Sequence, residues 1–89
     1  MKIPRRLKIG TVTYKVVRVK NPKNMASINY DTLTISINKT FNKSFEAGSF
    51  MHELLEGICT QNCLRITHQE LSVLAEQLTT VLTENKMLK

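Results

Sequence analysis

Two kinds of hydrophobic spacing divide the chain near Asn42. From Ile3 to about Ile37, apolar and polar residues alternate, which is typical of strands with one buried face. After Asn42, apolar residues recur every three or four positions, as they do on amphipathic helices. Strands followed by helices predict one α+β domain over residues 1–89, with two helices packed on a small antiparallel sheet of three or four strands.

The strands fall into two predicted pairs. Residues 3–9 and 11–16 form the first pair, and Gly10 between them indicates a tight hairpin. Val17 and Val19 then break the alternation, as a bulge or a strand end does. The segment KNPKN at residues 20–24 has the Pro and Asn content of a loop.

The second pair joins a short strand near residues 26–30 to the stretch LTISIN across Asp31 and Thr32. Alternation in LTISIN predicts that Leu33, Ile35 and Ile37 face the core. The strand region therefore ends near residue 38.

The first helix is predicted over residues 44–61, with Ser44 as its N-cap. A helix turns by about 100° per residue, which places five apolar residues on the face predicted to meet the core: Ala47, Met51, Leu54, Leu55 and Ile58. His52, Glu56, Cys59 and Cys63 form a second stripe at the edge of that face.

The second helix is predicted over residues 68–85. Thr67 and Glu70 have the spacing of a capping box, in which each side chain accepts from the other residue's backbone N–H. The apolar stripe of this helix consists of Leu71, Leu74, Ala75, Leu78, Val81 and Leu82.

Charge is distributed unevenly along the chain. Residues 1–45 carry ten Lys and Arg and one Asp, whereas residues 46–89 carry three Lys and Arg and six Glu. A basic half attracts nucleic acid, anionic lipid or an acidic protein surface, or serves only as a solubilising face. The candidates for a partner contact are Arg5, Arg6, Lys8, Lys15, Arg18 and Lys20.

The two cysteines and the amino-terminal residues indicate the cellular compartment of the protein. Cys59 and Cys63 suit one helix face, where disulfide geometry is poor, so free thiols in a reducing cytosol are expected. The basic start MKIPRRLK has no apolar stretch behind it, and no segment is long and apolar enough to span a membrane. These features predict a cytoplasmic protein without membrane contact.

The segment MHELLEGI carries the candidate chemistry. His52 and Glu53 open the zinc-peptidase pattern H-E-x-x-H, but Glu56 stands where the second His belongs. Residues four apart on a helix point the same way, so His52 and Glu56 can share one zinc ion. The carboxylate cancels one of the ion's charges, which leaves a bound water less acidic than in the His-containing pattern.

A third ligand has three candidates. His68 lies near the start of the second helix, on the flank of its apolar stripe, and is favoured. Glu76 projects away from that stripe, and Cys59 lies one turn beyond Glu56 and ligates only as a thiolate. The alternative is an ordinary amphipathic helix without metal, in which His52 is hydrogen-bonded, Glu56 is a surface residue and Cys59 only packs.

The layout resembles that of small phage and prophage zincin-like proteins, a group of minimal metallopeptidases that includes the ImmA/IrrE type. The segments that carry the resemblance are TLTISINKT, FNKSFEAG, SFMHELLEGI and HQELSVLAEQLTTVLTEN. The resemblance implies one zinc ion, a degenerate H-E-x-x-E motif and His68 as the third ligand. It also implies a phage-encoded protein in the host cytoplasm.

Three functions follow as hypotheses. The favoured one is a non-catalytic interaction module that inhibits a host protein, for example a CRISPR nuclease or another nucleic-acid-handling enzyme. The first alternative is a zinc metallopeptidase in which Glu53 is the general base. The second alternative is direct nucleic-acid binding through the basic amino-terminal half.

Overall fold

The computed structural model describes residues 2–20, 26–39 and 42–87. A strand region precedes a helical region, which gives an α+β fold. The elements in chain order are β1 (Arg6–Ile9), β2 (Val12–Val19), β3 (Ala26–Asn29), β4 (Thr34–Asn38), α1 (Lys43–Gln61) and α2 (His68–Glu84). The predicted loop KNPKN lies outside the described residues from position 21 onward. A search of the described helices finds none with the length and apolarity needed to cross a bilayer.

The four strands form one mixed sheet in the order β1-β2-β4-β3. The pairs β1–β2 and β3–β4 are antiparallel, but β2 and β4 run parallel, so the expectation of a purely antiparallel sheet is wrong. The hairpin of β3 and β4 places β4 beside β2 and leaves β3 at the edge. Ile35 and Ile37 of β4 are fully buried, so the more apolar strand of the hairpin takes the central position.

The first hairpin has a two-residue turn, as predicted. Ile9 pairs with Val12, and Gly10 between them adopts a φ of +61°, which glycine tolerates without steric cost. A bulge or a strand end was expected near Val17. Instead, β2 continues without interruption to Val19. The change of phase reflects apolar side chains on the outer face, since Val17 and Val19 alternate with the buried Tyr14 and Val16.

The core lies between the sheet and α1. Its buried residues are Ile9, Tyr14, Val16, Ile35, Ile37 and Phe50. The predicted burial of Ile35 and Ile37 is confirmed, whereas that of Leu33 is wrong. Leu33 belongs to the turn before β4, has a φ of +52° and remains exposed.

Asn42, rather than Ser44, is the N-cap of α1. The Asn42 side-chain oxygen accepts from the backbone N–H groups of Ser44 and Phe45 at 2.9 and 3.2 Å. The helix therefore begins at Lys43, one residue earlier than predicted. Both residue types are good caps, so local sequence alone did not separate them.

The predicted core face of α1 is confirmed in part, because Ala47 and Met51 are buried. Phe50 and Gly57, which were not predicted, are buried as well, while Leu54 and Ile58 are half-buried against the core and Leu55 is half-buried. A Cβ added at Gly57 would lie 2.8 Å from Ile9 Cδ1. Gly57 therefore lets α1 approach β1 closely.

A buried carboxylate ties the first turn of α1 to the sheet. Glu46 is 1% exposed, and its oxygens lie 3.4 Å from Arg18 Nη1 and 3.5 Å from Lys43 Nζ. Arg18, on β2, is thus directed toward the helix side of the sheet. A buried carboxylate needs such counter-charges, because its desolvation is otherwise costly.

The second helix packs on α1 and, within the described residues, touches no strand. Its capping box is present as predicted: the Thr67 N–H donates to Glu70 Oε1 at 2.9 Å, and the Glu70 N–H donates to Thr67 Oγ1 at 3.1 Å. Leu71 and Ala75 are buried, but Leu74 and Val81 of the predicted stripe stay exposed. One neighbouring helix covers only part of the apolar surface of α2.

Candidate functional site

The two histidines of the chain meet across the contact between α1 and α2. The ring centres of His52 and His68 are 5.0 Å apart, with a 55° angle between the ring planes. His52 lies in the middle of α1, and His68 is the first residue of α2, where the Thr67 cap sets the helix start. The loop between the helices therefore brings His68 back to His52.

The spacing of the two rings fits a shared metal ion. Two imidazoles on one tetrahedral zinc place their ring centres about 5 Å apart, since each Zn–N bond is about 2.0–2.1 Å and each ring centre lies about 1.1 Å beyond its nitrogen. His52 Nε2 is buried and has no hydrogen-bond partner. Burial and the nearby His68 lower the pKa of His52, whereas the Glu56 carboxylate opposes this shift. A neutral His52 with an unsatisfied nitrogen is chemically suited to ligate.

The carboxyl groups of Glu53 and Glu56 lie together one turn apart on α1. Glu53 is 6% exposed, and its Oε2 is buried without a hydrogen-bond partner. Burial raises the pKa of Glu53 to about 8, and both a hydrogen bond to Glu56 and the negative charge of Glu56 act in the same direction. Glu56 itself is half-buried and also affects the charge state of His52, so it links the acidic pair to the imidazoles.

Tyr30 joins this group from the turn after β3. Its hydroxyl lies 3.0 Å from Thr60 Oγ1, one turn beyond Glu56 on α1. Burial raises the pKa of Tyr30, the hydrogen bond to Thr60 opposes the rise, and the charges of Glu56 and Glu53 add to it. The sequence offered no signal for this approach, because Tyr30 is 26 residues from Glu56 and reaches it only through the fold. We call the following residues the polar cluster: Tyr30, His52, Glu53, Glu56, Thr60 and His68.

The alternative ligand candidates lie less favourably. Glu76 is exposed on α2, and no contact joins it to His52. Cys59 is half-buried and Cys63 is exposed, and both are free thiols, as expected. Among residues 2–20, 26–39 and 42–87, no three His, Cys, Asp or Glu side chains stand together in an arrangement that would hold a metal ion. Glu56 would have to turn from Glu53 toward the two imidazoles to complete such a set.

The six predicted partner-binding residues do not lie together. Arg6, Lys8 and Lys15 project from the sheet face opposite α1, because they alternate with the buried residues of β1 and β2. Arg18 instead pairs with Glu46, while Arg5 and Lys20 are exposed beside the strand ends. The structure thus brings three of the six cations onto one face.

Comparison of the chain with protein-family models, with curated proteins and with solved structures finds no match. The likeness to zincin-like phage proteins stays a prediction from the segments quoted above.

Proposed function

We propose that the protein is a zinc-binding, non-catalytic interaction module. The ion is held by His52, Glu56 and His68, and it fastens α2 to α1. The observation that carries this proposal is the 5.0 Å separation of two imidazole rings from different helices, together with the unpartnered, buried Nε2 of His52. Metal bound only by the folded state adds to folding free energy, which a domain of 89 residues with a thin core can use.

The arrangement of Glu53 favours a module over a peptidase. A general base must reach the water that the metal holds, but the Glu53 carboxyl is enclosed and directed to Glu56. Two grooves formed by described residues lie elsewhere, one along α2 and one on the strands. A substrate peptide would need a groove beside the polar cluster.

The partner in this proposal is a host protein, and the protein acts in the host cytoplasm as an inhibitor. The support is the resemblance of SFMHELLEGI and its flanking segments to phage proteins, which commonly block a host defence or regulatory protein. A nucleic-acid-handling enzyme, such as a CRISPR nuclease, is the class of target that we favour.

Zinc analysis of protein purified without a His tag tests the metal site. We expect one equivalent of zinc, lost in His52→Ala and in His68→Ala. Glu76→Ala and Cys59→Ala are the matched controls and should retain the metal, with circular dichroism confirming that each variant is folded. Wild-type protein that remains metal-free after zinc supplementation would overturn the proposal.

Glu53→Gln distinguishes the module from a metallopeptidase. The substitution keeps the size of the side chain but removes its capacity to accept a proton. A module should keep both its zinc and its capture of the host partner, whereas a peptidase should keep its zinc and lose cleavage. Cleavage of a peptide library by the wild type but not by Glu53→Gln would replace our proposal with the peptidase.

A further inference from the structure

The sheet face opposite α1 has no element packed on it within the described part of the chain. α1 contacts β1, β3 and β4 on the core side, and α2 contacts α1 alone. By alternation from the buried positions, the open face carries Arg6, Lys8, Thr13, Lys15, Val17, Val19, Ser27, Asn29, Thr34, Ser36 and Asn38. We call these residues the open face.

Like charges stand directly opposite each other on the open face. Arg6 of β1 pairs in register with Lys15 of β2, and Lys8 follows Arg6 two residues later on the same side. Like charges at opposed positions destabilise a strand pair. The ion pairs of the described residues involve Arg18 and Lys43, so no carboxylate of that part of the chain neutralises these three cations. An anionic ligand would remove the repulsion.

The remaining side chains of the open face indicate what kind of anion fits. They are hydroxyl and amide groups, with two valines and no aromatic ring. The centre of a protein–protein interface is rich in aromatic residues and Met and poor in Lys and Ser. Phosphate oxygens, in contrast, are bound by Arg, Lys, Ser, Thr and Asn, which is the composition found here.

A groove on the strands contains two of the three cations of the open face, Arg6 and Lys15. It has a volume of about 1030 Å³, and its polar lining comprises Arg5, Arg6, Thr13, Tyr14, Lys15, Arg18 and Thr32. The charge of the amino-terminal half adds a long-range attraction for a polyanion. Because the open face has no ring on which a base can stack, a single strand gains nothing there over a duplex.

We propose that the open face binds the phosphate backbone of a nucleic-acid duplex without reading its sequence. Arg6, Lys8 and Lys15 contact phosphates, and Thr13 is placed on the same face, two residues before Lys15, to donate a hydrogen bond. This inference goes beyond the proposed module function and does not rest on it, since the polar cluster lies on the opposite side of the sheet.

Fluorescence anisotropy of a labelled DNA duplex of random sequence, titrated at several KCl concentrations, tests the proposal. Each phosphate contact contributes a slope of about −0.9 to the plot of log K against log salt, so three contacts predict about −2.7. Lys8→Gln and Lys15→Gln should each make the slope shallower by about 0.9. Lys86→Gln, beyond the end of α2, makes the same charge change away from the sheet and should leave the slope unchanged.

The stability of the variants supplies an independent readout. Lys15→Gln removes the repulsion with Arg6, so its unfolding midpoint should equal or exceed that of the wild type while its duplex affinity falls. A slope that is the same in Lys15→Gln and in Lys86→Gln overturns the proposal, as does the absence of binding at low salt.

Two further arms separate the duplex from other anionic partners. Polyglutamate that competes as well as the duplex at equal charge would reassign the open face to an acidic protein. Tighter binding of a single strand than of the duplex would contradict a backbone-only contact.

Duplex binding that is unaffected by a zinc chelator would show that the open face acts separately from the metal site.

Discussion

Two regions that meet α1, the buried apolar core and the partly exposed polar cluster, are built from different chemistry. Between α1 and the sheet, Phe50 packs with Ile35, Ile37 and other apolar side chains, so apolar burial is the main contribution to the contact, beside the ion pair of Glu46 with Arg18. In the polar cluster, His52 Nε2 and Glu53 Oε2 are buried without hydrogen-bond partners. Such atoms destabilise a fold unless a ligand or a proton satisfies them. The first region therefore serves stability, and the second is where a ligand has most to contribute.

The largest expected effect comes from a substitution in the apolar region between α1 and the sheet. Phe50 is 4% exposed, so Phe50→Ala should lower the free energy of unfolding by about 3–5 kcal/mol, through lost burial and the cavity left behind. Urea denaturation followed by circular dichroism measures this change. Phe45 is 61% exposed on the same helix, and Phe45→Ala should alter stability by less than about 0.5 kcal/mol. Equal losses in both variants would contradict the assigned helix face.

A smaller effect is expected from pH in the polar cluster. The pKa of Glu53 is raised from 4.5 to about 8 in the folded protein, so folding favours the protonated acid and stability falls as pH rises through that range. The pKa of His52 is lowered from 6.5 in the folded protein. The contribution of His52 to the free energy of unfolding is therefore lost only as pH falls below 6.5. Between pH 6.5 and about pH 8, the Glu53 effect therefore acts without opposition from His52.

The measurement is the melting temperature of metal-free protein at the two ends of this window. We expect a decrease of about 5 °C toward the higher pH, which corresponds to about 1 kcal/mol for a domain of this size. Glu53→Gln should melt at nearly the same temperature at both ends, because the amide does not titrate. A wild-type melting temperature that rises with pH would show that Glu53 is ionised in the folded protein.

The helix cap gives a comparable but local effect. Asn42→Ala removes the acceptor for two backbone N–H groups of α1 and should cost about 1 kcal/mol. Ser44→Ala is the matched control and should cost much less, because Ser44 lies inside the helix. Urea denaturation of the two variants decides which residue is the cap.

The smallest effect concerns the link between the polar cluster and the sheet. Tyr30→Phe removes the hydroxyl that contacts Thr60, and we expect a loss of about 0.5 kcal/mol because the bond is exposed to water. A double-mutant cycle with Thr60→Val isolates the pair from other effects of either substitution. A coupling energy near zero would mean that Tyr30 is held by its ring contact with Tyr14.

Several features were predictable because their causes are local in sequence. Alternation located the strands, the change to helical spacing located α1 and α2, and Thr67 with Glu70 marked the start of α2. The spacing of His52 and Glu56 also predicted that both would lie on one side of α1, since four residues make about one turn. Each of these patterns is complete within a short segment.

Other features depended on segments that are distant in sequence. The parallel pairing of β2 with β4 follows from which strand of the second hairpin buries more apolar surface, and no local pattern records that choice. Gly57 and Phe50 joined the buried side of α1 because the helix packs closely on Ile9 and the sheet, a contact that the spacing within α1 does not record.

The sequence by itself determined the element types, the Thr67 cap of α2 and the placement of His52 and Glu56 one turn apart on one helix. Only the tertiary structure brought Tyr30 to that helix, set His68 against His52 and gathered Arg6, Lys8 and Lys15 on one uncovered face. The reason is physical: hydrogen bonding and side-chain periodicity act over a few residues, whereas the packing of a sheet against a helix is decided by the burial of the whole chain.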